Sequence, residues 1–422
     1  DVFTASPNTT LHNNRKASGA KIGIFRMCET PNFNVSLIVN NTLPIPDSEA
    51  KQLSDQLLSL IVTEIKKSGA ISFARYMQLA LYTPQLGYYQ NALKKFGKNG
   101  DFVTAPEISP LFSYCLANQC AEILENLNGG DIFEFGAGSG IMAADILFAL
   151  KEKNQLPNHY YILELSGFLK SVQRETIQNK IPELLDRVIW LEQLPEKPIQ
   201  GVVLANEVLD AMPIHLFKIN NGIKECGVAV ENNQLVNCIL EKENPELISA
   251  IKKYEIVFAE NYYSEINLFL SGWIKSVATI LSRGVVLILD YGFPRHEYYH
   301  SDRSAGTVMC HYRHRSHANP LIFPGIQDIT AHVDFTAVAE SAADQGFSVN
   351  GFTNQAAFLM NTELLSFVNN TTDEKKRFLQ NQQILQLTLP SEMGELFKVM
   401  GLTKNYVQSL MGFVEMNKVH AL

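Results

Sequence analysis

The sequence predicts an α/β fold, a doubly wound Rossmann-like sheet with added elements, and three observations carry that prediction. Apolar runs of strand length at 132–135, 160–163, 188–190, 202–205 and 285–290 alternate with helical patterns, as they do where parallel strands are joined by crossover helices. The segment Asp131-Ile-Phe-Glu-Phe-Gly-Ala-Gly-Ser-Gly140 reads as a buried strand entering a glycine turn that opens a helix. At 422 residues, 46% hydrophobic and 18% charged, the chain can bury a full core and is not of disordered or collagenous composition.

Residues 1–42 are rich in Ser, Thr and Asn, lack apolar periodicity and are expected to form a disordered leader. Pro44-Ile-Pro46, Asp47 and Ser48 then signal a helix start, and Leu53, Leu57, Leu58, Ile61 and Ile65 recur at helical spacing until Gly69. A second helix is expected over 72–81, stopped by Thr83-Pro-Gln-Leu-Gly87, and a third over 109–126. Between them Gly100-Asp-Phe-Val-Thr-Ala-Pro-Glu-Ile-Ser-Pro110, dense in turn residues and polar groups, is expected to act as a lid. Residues 43–130 thus form an N-terminal helical and lid segment.

The core is expected over 131–353. About eighty residues separate its fourth and fifth strands, too many for a simple crossover. Within them 217–219, 226–230 and 235–240 alternate around Asn220-Asn-Gly222 and Glu231-Asn-Asn233, which predicts a β-meander inserted at about 213–260. Runs at 307–312 and 347–351, flanking a helix near 335–345, are expected to supply the antiparallel hairpin that closes a seven-stranded sheet. From 354 to 422 the pattern reads as helical.

The glycine turn is the strongest chemical signal. Gly136, Gly138 and Gly140 let backbone approach a ligand that a Cβ would repel, with Ala137 between them. A dinucleotide fingerprint would need a third glycine where Ile141 stands, which argues against NAD. Glu134, two residues before the first glycine, instead resembles the first motif of class I methyltransferases that use S-adenosylmethionine (SAM), whose sulfonium tolerates a nearby carboxylate. Glu164 ends the second strand, where a carboxylate can accept the ribose hydroxyls of an adenosine. At the tip of the fourth strand Asn206, Glu207 and Asp210 face the carboxyl edge where ligands bind, two carboxylates placed to grip a cation. In the lid segment, Thr104 and Pro106 are candidates for cofactor contact, and for catalysis Glu207 is the first candidate, with Asp210 or Glu107 assisting.

A net charge of −8 opposes a broad nucleic-acid footprint. The six cysteines form no C-x-x-C pair, which fits a reducing compartment. Cys310, His311, His314 and His317 match no standard zinc spacing, and Arg313 and Arg315 among them oppose a cation, so no metal is expected. The longest apolar runs are of strand length, and no membrane span is expected.

Together, Gly100–Pro110, Glu134-Phe-Gly-Ala-Gly-Ser-Gly140, Asn206-Glu-Val-Leu-Asp210, Asp290-Tyr-Gly292 and Gly325-Ile-Gln-Asp-Ile-Thr-Ala-His-Val-Asp-Phe335 resemble the MidA family of SAM-dependent methyltransferases. The resemblance runs from about Leu43 to Lys404. It implies a class I methyltransferase sheet, SAM as cofactor, Gly136, Gly138 and Gly140 in the cofactor loop, Glu164 on the ribose, and Asn206 and Glu207 in the active-site cleft. It also implies a protein substrate, with arginine the leading acceptor. A homodimer is an expected assembly, and the expected compartment is bacterial cytoplasm, or the mitochondrion in a eukaryote.

Overall fold

A computed structural model of the chain describes residues 43–93, 103–368 and 373–422, all in one compact unit. The expected leader at 1–42 and the first residues of the expected lid, Gly100 to Phe102, lie outside them.

Seven strands make the body of the main sheet: β1 (Asp131–Phe135), β2 (Tyr160–Leu163), β3 (Val188–Leu191), β4 (Ile199–Asn206), β5 (Leu281–Phe293), β6 (Ser348–Asn354) and β7 (Phe397–Lys404). Their order is β6-β7-β5-β4-β1-β2-β3, and the two-residue strand Val333–Asp334 pairs beside the end of β5. All neighbours from β3 through β5 run parallel, while β7 lies antiparallel between β5 and β6. Phe135 is in register with both Leu163 and Ala205, so the residues following β1, β2 and β4 emerge together on one edge.

Both faces of this sheet are buried, which is why its strands read as continuous apolar runs. Ile132, Val202, Leu204, Val285 and Leu287 pack on one side with helices α3 (Pro110–Leu127) and α4 (Ile141–Glu152). Phe133, Val203, Ala205, Val286 and Ile288 pack on the other with the helices Leu270–Ile280 and Phe335–Asp344.

The expected closing hairpin is corrected in its partner. Met309–Tyr312 joins Arg315–His317 and Asp328–Thr330 in a separate three-stranded sheet, and the strand that pairs with β6 is β7. The expectation of helix throughout 354–422 therefore fails at Phe397–Lys404. This strand is buried on both faces, so it lacks the alternation that would mark it, and it follows helices that set the local pattern.

The inserted meander is present: His215–Ile219, Ile223–Glu231 and Gln234–Ile239 are joined by turns in which Asn221, Asn232 and Asn233 take positive φ. Tyr263–Ile266 and Ile71–Ser72 extend this sheet. It packs with helices α1 (Ser48–Ser68) and α2 (Phe73–Tyr82) through Leu57, Ile61, Phe73, Tyr76, Leu216 and Val228. Asp47 and Ser72 cap those helices from their side chains, as the helix-start residues predict.

Candidate active site

The glycine turn leaves β1 with Gly136, Gly138 and Gly140 all at positive φ, at 59°, 53° and 83°. Two of them serve different ends. At Gly136 nothing lies within 4 Å of where a Cβ would stand, which leaves open space for a ligand. At Gly140, the N-cap of α4, a Cβ would come 2.9 Å from the Cα of Gln173, so this glycine admits the next helix, α5 (Gly167–Lys180), against the loop. Ala137 is buried, and its carbonyl accepts from Gly140 N at 2.7 Å, closing the turn.

Glu134 lies beneath the loop, with 1% exposure, and accepts from Tyr160 Oη at 2.7 Å. Burial pushes its carboxyl up to about 7, with Glu164 adding to the rise and the Tyr160 hydroxyl opposing it. It anchors the strand end from below. Glu164, also buried, takes Ser166 N on Oε1 at 2.8 Å and Gln173 Nε2 on Oε2 at 2.8 Å. Burial raises its carboxyl, and these donors counter the rise. Beside it Leu165 stands 63% exposed, an apolar neighbour that a strand-end pattern does not flag.

The described part of the expected lid is a short helix, Ala105–Ile108, that starts at Thr104 and holds Pro106 buried. It bridges the two halves of the site. Glu107 receives a hydrogen bond from Ser139 Oγ of the glycine turn, while the Ala105 backbone opposes the rise of the Glu207 carboxyl. Glu107 is thus held at the cofactor loop.

After β4 the chain makes a turn and no helix. Glu207 sits at φ 51°, uncommon for a non-glycine residue, with its N–H donating to Leu289 O at 2.9 Å and its Oε1 accepting from Asn206 Nδ2 at 3.2 Å. The next residues are pinned by buried Asp290, whose Oδ2 accepts from Leu209 N at 3.0 Å and Asp210 N at 3.2 Å. Asp210 accepts from Tyr291 Oη at 2.5 Å on Oδ2, and its Oδ1 is buried with no hydrogen-bond partner among the described residues. A buried carboxylate oxygen left this way is costly unless a ligand serves it.

Crowding of these acids shows in their protonation. Burial, then the charge of Asp210, pushes Glu207 up to about 8; burial pushes Asp210 to about 6 against the Tyr291 hydroxyl. Asp290 is raised further by burial and by both neighbours. Among the described residues no Lys or Arg forms an ion pair with Glu207, Asp210 or Asp290.

Three residues absent from the expected set belong here. Tyr89 Oη donates to buried Asp328 Oδ1 at 2.9 Å, Tyr82 Oη donates to Ala211 O at 2.8 Å, and the two rings stack with centroids 5.6 Å apart. Asp328 also raises Glu207 electrostatically, which places the three-stranded sheet beside β4. Asp328 falls in a segment that carries the family resemblance, but nothing in the spacing of these three residues brings them to the β4 turn. Among the described residues no group of three or more His, Cys, Asp or Glu could hold a metal; Cys310 and His317 face each other across two strands of the small sheet.

The loop fits a nucleoside cofactor: open space at Gly136, a buried carboxylate at Glu164 and strand ends in register. Comparison with known proteins agrees. Residues 115–353 match the model of a family described as "Putative S-adenosyl-L-methionine-dependent methyltransferase". A Burkholderia thailandensis protein solved bound to S-adenosyl-homocysteine is 39% identical, with a TM-score of 0.87 over 90% of this chain and 100% of that one. The mitochondrial protein arginine methyltransferases NDUFAF7 of Danio rerio and Mus musculus are 27% and 28% identical, each over 83% of this chain and over 87% and 84% of their own lengths. The chain therefore belongs to the MidA family of SAM-dependent methyltransferases.

Proposed function

We propose that this methyltransferase acts on the side chain of a protein arginine. The observation that carries the reading is the set of crowded carboxyls at the end of β4, Glu207 and Asp210 beside Asp290, with an oxygen on Asp210 that has no partner, and no basic side chain paired to the three, among the described residues. A guanidinium, planar, always charged and rich in donors, is the guest such a set would stabilise. The names of the relatives from Danio rerio and Mus musculus, protein arginine methyltransferases, support the same acceptor.

SAM, when bound, supplies a methyl carbon that passes from sulfur to the acceptor nitrogen. The glycine turn and Glu164 would hold its nucleoside. Glu207 is the catalytic carboxylate in this reading: fixed by Asn206 and the β5 backbone, it would orient the guanidinium, draw electron density to the attacking nitrogen and receive the proton that nitrogen loses. Asp210, held by Tyr291, offers its free oxygen as a second acceptor. Tyr82 and Tyr89 supply aromatic faces suited to a cation, and the helix Ala105–Ile108 helps exclude water.

The test is transfer of deuterated methyl from labelled SAM into proteins of the source cell lacking the gene, read by mass spectrometry. Methylarginine in a discrete protein is the expected product. Label confined to small molecules, or to another residue type, would replace arginine by that acceptor; binding of SAM with no transfer at all would favour an assembly role.

A further inference from the structure

We propose that Gln173 is a positioning residue for the cofactor, a clasp that sets the glycine turn and the ribose carboxylate at one fixed spacing. It is buried on α5, and every polar hydrogen and acceptor of its carboxamide has a task. Nε2 donates to Gly138 O at 3.1 Å and to Glu164 Oε2 at 2.8 Å. Oε1 accepts from Trp190 Nε1 at 3.0 Å. The indole decides which way the amide faces: an N–H donor there requires the carbonyl on that side, so the NH2 must point to the loop and to Glu164. Trp190 is itself steadied by the Arg174 guanidinium 4.8 Å from its ring centroid.

The helix could not reach the loop without Gly140, whose missing Cβ would otherwise stand 2.9 Å from the Gln173 Cα. One side chain from one helix therefore ties together the ends of β1, β2 and β3. Glu164 gains a second effect. Burial raises its carboxyl, and the two N–H groups it accepts oppose that rise and orient it, with lone pairs left for the hydroxyls of a ribose.

The inference rests on Glu164 contacting the ribose, and the test separates the two. S-adenosylhomocysteine binding is measured by calorimetry on the full chain, with no acceptor present, for Glu164→Gln, Gln173→Met, both together, and Trp190→Phe. Removing a hydrogen bond to a charged group should weaken binding by about 10- to 100-fold in Gln173→Met. The part of that cost that runs through Glu164 should be absent when the same change is made in the Glu164→Gln protein, which leaves only the smaller cost of the lost bond to Gly138 O, a non-additivity that simple loss of packing would not produce. Trp190→Phe, which touches neither loop nor carboxylate, should still weaken binding several-fold because the amide is then free to turn over. Equal costs of Gln173→Met in the two backgrounds, or full affinity in Gln173→Met, would overturn the clasp. Unchanged affinity in Glu164→Gln alone would instead remove Glu164 from the ribose. Should Gln173→Met fail to fold, full affinity in Trp190→Phe overturns the proposal by itself.

Discussion

Glu207 concentrates the chemistry of this protein at one residue, and its environment sets what a substitution would do. Its backbone sits in a left-handed conformation and its carboxyl is met by Asn206 but, among the described residues, by no cation, so its contribution should appear when a cation arrives. Glu207→Gln keeps shape and removes the ability to ionise. Methyl transfer to the identified acceptor is expected to fall by roughly two orders of magnitude or more, as for loss of a positioned acid–base group. SAM affinity should stay within several-fold; single-turnover rates near wild type would exclude the residue from catalysis. The raised carboxyl adds a pH signature. A group that titrates near 8 in the free enzyme is protonated at neutral pH and must lose its proton to serve a guanidinium, so kcat/KM should climb with pH through about 8. A profile flat from pH 6.5 to 9 would contradict this. Residues of this kind were partly legible in the sequence. The glycines, Glu164, Asn206, Glu207 and Asp210 stand at strand ends, where the fold itself indicates ligand contact. Tyr82, Tyr89 and Asp328 were not, since they arrive from a helix, a loop and a small sheet whose approach to β4 is a tertiary fact.

Elements tell the same story at a larger size. The five parallel strands could be read because each is a short apolar run bounded by turn residues, and the meander because paired asparagines mark its turns. β7 could not: Phe397-Lys-Val-Met-Gly-Leu-Thr-Lys404 has neither strict alternation nor strong turn signals, and its identity as a strand depends on β5 and β6 lying on either side. Its position gives it weight beyond its eight residues. It pairs with β5 from Gly284 to Tyr291 and thereby backs Asp290, which pins the Glu207–Asp210 turn. A chain ending at Pro390 would leave β5 with an open edge and β6 with no partner. It should lose cooperative thermal unfolding and SAM binding together. A soluble truncated protein that binds SAM with wild-type affinity would show that β7 is dispensable to the site.

For the whole molecule, the buried acids make stability depend on pH in a direction opposite to that of most salt-bridged proteins. Glu134 and Glu207, pushed up to about 7 and about 8, keep protons in the folded state that the unfolded chain has already released above its ordinary carboxylate range. With the folded state binding more protons, stability must fall as pH rises toward those values. His311 and His332 act in another window: held down to about 4 and about 3, they stay neutral when folded, whereas unfolded imidazoles gain protons below about 6.5, so they weaken the fold only on the acid side. From pH 6.5 to 8.5 the histidine contribution fades as the unfolded imidazoles lose their last protons, and the acids dominate. The protein should therefore lose stability over that interval, with Glu207 alone contributing on the order of 1–2 kcal/mol and lowering Tm by on the order of a few degrees. Glu207→Gln should flatten the decline, because an amide has no proton to lose. Differential scanning calorimetry across the interval decides the matter: a Tm that rises from pH 6.5 to 8.5, or a decline as steep in Glu207→Gln as in wild type, would mean that Glu207 is already ionised in the folded protein, and the guanidinium would then meet a standing charge instead of creating one.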